Sequence, residues 1–101
     1  MVNEHFIKFI QSINEKPGMY LVNNVRDMNL IFLGYLYAPI DKKEADSLGE
    51  LISGFNMFVN KHYKSKSDYH WAKLIYFHSS SDTNSIEVFS TLFDKFVKGI
   101  R

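Results

Sequence analysis

The chain has 101 residues, 46% of them hydrophobic and 16% aromatic, with a formal net charge of +1 and no cysteine. That length predicts one domain over residues 1–101 with a single core; the near-neutral charge provides no global field for nucleic acid or an anionic membrane, and the lack of cysteine excludes disulfides and thiolate metal ligands. No apolar run reaches the ~20 residues that span a bilayer, and the opening Met-Val-Asn-Glu-His-Phe carries an acid where a signal peptide is apolar, so a soluble cytoplasmic protein is expected.

Phe6, Ile7, Phe9, Ile10 and Ile13 recur at three- and four-residue spacing with polar residues between them, which predicts an amphipathic helix capped by Asn3. Pro17-Gly18 ends it. Met19–Val22 reads as a short apolar piece, irregular or briefly extended. Asn23-Asn24 is a second break, with Asn24 or Asp27 as the cap of the next helix. Met28–Ala38 is an uncharged stretch of eleven residues, apolar or aromatic except at Asn29 and Gly34. It predicts a helix buried on all sides at the centre of the fold, closed by Pro39. Pro39–Asp46 is a polar connection. Helix restarts at Asp41 at the earliest and more firmly at Ser47, which forms a Ser-x-x-Glu capping box with Glu50.

Leu48, Leu51, Ile52, Phe55, Phe58, Val59, His62 and Tyr63 then keep helical spacing for about four turns. Gly49 and Gly54, with Gly34, suggest close helix contacts. Lys64–Asp68 is a loop. The 69–78 segment is read as a helix, although Tyr69, Trp71 and Lys73 also alternate as a strand would. Ser79–Asp82 breaks the chain and supplies a cap. Ile86, Phe89, Leu92, Phe93, Phe96 and Val97 form a last apolar stripe, with Gly99 at the expected C-terminal cap and Lys95, Lys98 and Arg101 suited to the helix dipole. The fold class predicted is all-α, a compact array of about five helices with antiparallel neighbours. The alternative is α+β, with 69–78 as a strand.

Little of this sequence suggests catalysis. His5, His62, His70 and His78 lack the i, i+3 or i+4 spacing that puts helical ligands on one face. Ser79–Ser81 lack a Gly-x-Ser-x-Gly frame, the carboxylates of Asp41, Glu44 and Asp46 sit in a polar connection, and there is no phosphate-binding glycine loop. No catalytic residue, metal or cofactor is therefore expected. Two surface signals remain. Residues 61–71 interleave Lys61, Lys64 and Lys66 with Tyr63, Tyr69 and Trp71, a pattern that suits phosphates and bases. Asp41, Glu44, Asp46 and Glu50 set four acids against Lys42 and Lys43, a composition that suits a basic partner.

Lys16-Pro17-Gly18-Met19-Tyr20-Leu21 after a short amphipathic helix, followed by an apolar segment with Gly34-Tyr35, resembles the start of small bacterial immunity proteins. These are the antitoxins of contact-dependent growth inhibition and related polymorphic toxin systems. Trp71-Ala72-Lys73-Leu74-Ile75, then Ser81-Asp82 and Phe89-x-x-Leu92-Phe93-x-x-Phe96, is similar to the second half of such chains. The resemblance implies a non-enzymatic cytoplasmic protein that covers the active site of one cognate toxin C-terminal domain, often a nuclease. It also implies that Pro17-Gly18 makes a turn and that Met19 and Tyr20 pack on the core. Nuclease sites are basic because they hold phosphates, so the expected contacts are Asp41, Glu44, Asp46, Glu50, Asp68 and Asp82, with Tyr69 as an anchor. The alternative function is a small nucleic-acid-binding module centred on residues 61–71. Weak self-association through exposed aromatics is carried beside it.

Overall fold

The computed structural model describes residues 3–38 and 41–100; Pro39, the expected stop, lies outside them. Five α-helices follow one another: α1 (Glu4–Glu15), α2 (Val25–Leu36), α3 (Lys42–His62), α4 (Trp71–Phe77) and α5 (Asp82–Ile100). A 3-10 turn, Pro17–Tyr20, joins α1 to α2, and no strand occurs among the described residues. The all-α array of five helices is thus the observed fold, and the 69–78 segment is helical from Trp71.

The chain starts each helix with a side-chain acceptor for an otherwise orphaned N–H. Asn3 Oδ1 accepts from Phe6 N–H at 3.1 Å, and Asn24 Oδ1 accepts from Asp27 N–H at 3.0 Å. Asp27 in turn ties down the chain before the helix, accepting from Asn23 N–H at 2.8 Å. Asp41 Oδ1 accepts from Glu44 N–H at 2.9 Å, so α3 begins at Lys42, the earlier of the two expected starts, and not at Ser47. Ser81 Oγ caps α5 through Asn84 N–H at 3.0 Å. Gly99 lies inside α5 and does not cap it.

Packing centres on α5, which touches each of the other four helices. Its predicted stripe is buried throughout: Ile86, Phe89, Leu92, Phe93, Phe96 and Val97. Phe55 of α3 meets the rings of Phe89, Phe93 and Phe96 at 5.5–5.6 Å and Trp71 at 5.2 Å. Phe32 of α2 sits among Phe6, Trp71 and Phe89 at 4.7–5.8 Å. Of the three glycines expected at close contacts, only Gly54 serves one, with the Phe96 ring 3.4 Å from where its Cβ would stand. The radius of gyration, 13.0 Å, is what a compact chain of this length gives.

Three further expectations are corrected. Met28–Ala38 is fully buried only at Met28 and Phe32; Ile31, Tyr35 and Leu36 pack on the core edge, while Leu30, Leu33 and Tyr37 are exposed. A helix has one inward side, and an uncharged composition does not create a second. Met19 and Leu21 are also exposed, at 75% and 81%, so the first of them does not pack on the core. Tyr20, 43% exposed, only edges against Phe9 at 6.2 Å. The antiparallel expectation also fails for one pair. Trp71 meets Asn56, and His78 meets Tyr63, so α4 runs alongside the second half of α3 in the same direction.

Candidate functional site

That parallel arrangement requires residues 63–70 to double back along α3. Lys64 makes the reversal in a left-handed conformation (φ 53°), with Ser65 N–H bonded to Asn60 C=O and Lys64 N–H to Lys61 C=O. Two asparagines one turn apart on α3 then hold the returning strap. Asn60 accepts from Tyr69 N–H at 3.1 Å and donates to Tyr69 C=O at 2.8 Å. Asn56 donates to the same carbonyl at 3.1 Å and accepts from Trp71 N–H at 2.7 Å. His70 Nδ1 accepts from Ala72 N–H at 3.1 Å and caps α4; burial pushes its pKa below the usual histidine value.

The strap and α4 enclose a groove of about 420 Å³ lined by aromatic and basic residues, Tyr63, Lys66, Tyr69, Lys73, Phe77 and His78 among them. Tyr63 and His78 stack at 4.3 Å and 11°. Phe77 stands edge-on to His78 at 5.1 Å and is 78% exposed. The Lys73 ammonium lies 5.8 Å from the centroid of Tyr69. Burial raises the pKa of the Tyr63 hydroxyl, which stays a neutral donor. On the other side of the strap, Asp68, Tyr69 and His70 border a shallower hollow with Leu36, Gly49, Ile52 and Asn56.

The seven expected contact residues do not form one cluster. Asp46 and Glu50 are exposed one turn apart on α3, with Lys42 and Lys43 a turn before them. Asp41 and Glu44 are exposed too but point to roughly the opposite side of that helix, at about 100° per residue. Asp41 is also occupied as the cap. Asp68 and Tyr69 come close to Gly49, the neighbour of Glu50, through the shallow hollow. Asp82 sits apart at the start of α5, past the far end of α4, and its C=O accepts from Ser85 Oγ at 2.6 Å.

A surface outside the expected contacts is also exposed. Arg26, Leu30, Leu33 and Tyr37 fall at i, i+4, i+7 and i+11 on the outward face of α2. Leu30 is 65%, Leu33 40% and Tyr37 81% exposed. The Arg26 guanidinium lies 4.6 Å over the ring of Tyr76, which carries this face onto α4. The signal in the sequence was the length of the uncharged run, longer than one inward face can use. Among the described residues no three His, Asp or Glu gather as a metal site, and no helix is long and apolar enough to cross a membrane. Comparison with models of known families, with curated proteins and with solved structures gives no match.

Proposed function

We propose that this chain is an immunity protein that binds and neutralises a cognate toxin domain, a nuclease, by covering its active site. The observation that carries the reading is the outward face of α2. Leu30, Leu33 and Tyr37 form an apolar stripe about 11 Å long at 1.5 Å per residue, left open to solvent by the described residues around it. Apolar side chains in a row on a helix, with an aromatic at one end, are what an interface uses as anchors. Four positions beyond Tyr37 the chain turns acidic, and Asp46 and Glu50 give that end of the molecule carboxylates for a basic cleft. The identity of the partner comes from the resemblance of Lys16–Leu21 and Trp71–Ile75 to immunity chains. The protein acts by occupancy and needs no catalytic group of its own.

The test is to read the adjacent reading frame for a toxic C-terminal domain and to co-express this chain with the domain found there. The expected result is restored growth and an equimolar complex on a sizing column. Leu33→Asp weakens that complex by about 30-fold, the mark of an interface anchor. Asp46→Lys with Glu50→Lys weakens it further and lowers the association rate. Absence of both protection and complex overturns the function. An affinity unchanged by all three substitutions overturns the surface.

A further inference from the structure

The groove between the strap and α4 has a composition that toxin binding does not explain. The geometry points to a site for a nucleobase carrying a phosphate, presented by single-stranded nucleic acid or by a free nucleotide. Three observations on separate elements converge there. The first is a row of rings along the groove, each touching the next: Tyr63 to His78 at 4.3 Å and His78 to Phe77 at 5.1 Å. The row ends on Phe77, whose ring is 78% exposed although it closes a helix that is buried on its other side. An unstacked base can lie on that ring, because every base has a π face.

The second is charge. Lys66 comes from the strap and Lys73 from α4, and the groove lining includes no carboxylate. The single acid of the 61–78 stretch, Asp68, borders the hollow on the opposite side of the strap. A near-neutral chain has thus put two lysines beside one cavity, which is the complement of a phosphate. The third is rigidity. The four side-chain bonds from Asn56 and Asn60 fix the strap at Tyr69 and Trp71, and Tyr69 holds the Lys73 ammonium 5.8 Å from its ring. The site is therefore formed before any ligand arrives. At about 420 Å³ it has room for one nucleotide unit rather than a duplex. The α3 acids Asp46 and Glu50 do not line it.

The test uses the full chain and a fluorescein-labelled ten-residue oligothymidylate, followed by anisotropy, with thymidine monophosphate and tripolyphosphate as competitors. The expected result is saturable binding that weakens with salt at a log–log slope of about −1.4, for two lysines on a single strand. Phe77→Ala lowers affinity about 5- to 150-fold, the range for one base stacked on one ring. Lys66→Ala with Lys73→Ala abolishes the salt dependence. Both sets of side chains are exposed, so these variants keep the fold, which circular dichroism checks. Asp46→Lys with Glu50→Lys leaves Phe77-dependent binding in place, which separates this site from the toxin surface. Displacement by the monophosphate at matching concentration assigns the site to free nucleotides, and its failure assigns it to strands. No binding, binding indifferent to Phe77, or displacement by tripolyphosphate as readily as by nucleotide overturns the proposal.

Discussion

Leu21 holds a backbone conformation that most residues avoid. Its φ is 58°, and it ends the 3-10 turn with its own N–H on Gly18 C=O and the next N–H, Val22, on Pro17 C=O. An L-residue in the left-handed region costs about 1–2 kcal/mol. Here the cost brings no packing in return, since the side chain is 81% exposed. Glycine removes the strain but gives an unfolded chain about 0.5–1 kcal/mol more entropy to lose. Leu21→Gly is therefore expected to stabilise the protein by about 0.5–1 kcal/mol, a rise of roughly 2–8 °C in Tm for a chain of this length, read by thermal melting. This feature was not legible in the sequence. Pro17-Gly18 marks the turn correctly, but the left-handed positions are usually glycine, and no described glycine takes a positive φ. Leu21 and Lys64 take them instead, and nothing in their residue type announces it. Strain kept at an exposed leucine is a reason to look for a partner there.

α4 is a helix of seven residues, too short to be stable alone. Trp71, Leu74, Ile75 and His78 keep helical spacing in the sequence, but the same letters allow a strand; the buried set is Trp71, Ala72, Leu74 and Ile75, with His78 exposed. What decides for helix is the start: Asn56 Oδ1 takes the Trp71 N–H and His70 Nδ1 takes the Ala72 N–H. The first of these partners lies fifteen positions away, beyond the reach of local pattern. The second adds a dependence on pH. Only neutral imidazole can accept at Nδ1, and burial holds the folded pKa of His70 below 6.5. Below that value the unfolded chain takes up a proton that the folded chain resists. The stabilisation is present in full above about pH 6.5 and is lost as pH falls from there through the folded value. The midpoint of thermal unfolding should therefore drop between about pH 7.5 and 5 by more in the natural chain than in His70→Asn, which caps without titrating. The difference is bounded by the ~1 kcal/mol of a helix cap.

At the scale of the molecule, periodicity located α1 and α5 and named their inward residues. It misjudged which element the others surround. The uncharged stretch around α2 drew attention because it lacks polar residues, yet that helix sends only Val25, Met28 and Phe32 fully inside. The helix at the centre, α5, looks ordinary in the sequence because its outward side is polar. Amphipathic pattern measures how many sides of a helix are covered, not how many neighbours cover it. The acids of the α3 entry do not share one face for a related reason. Residues adjacent in sequence point around the whole of a helix, so Asp41 and Glu44 part company with Asp46 and Glu50. Substitutions at buried and conspicuous positions should therefore have opposite outcomes. Phe55 touches five rings from three other helices and is fully buried. Truncating such a side chain costs about 3–5 kcal/mol, against about 5–15 kcal/mol for the whole domain. Leu30 and Leu33 belong to the more conspicuous stretch but face water, and replacing each by Gln should change stability by no more than about 0.5 kcal/mol. Trp71, the only tryptophan, is fully buried and lies 5.2 Å from Phe55, so its fluorescence reports unfolding directly. In urea, Phe55→Ala should move the midpoint down by about a fifth or more, up to loss of the transition. Leu30→Gln with Leu33→Gln should lower stability by no more than about 1 kcal/mol in total, far less than Phe55→Ala. A collapse of stability in the leucine double variant would return α2 to the centre of the fold and remove the free face on which the proposed function stands.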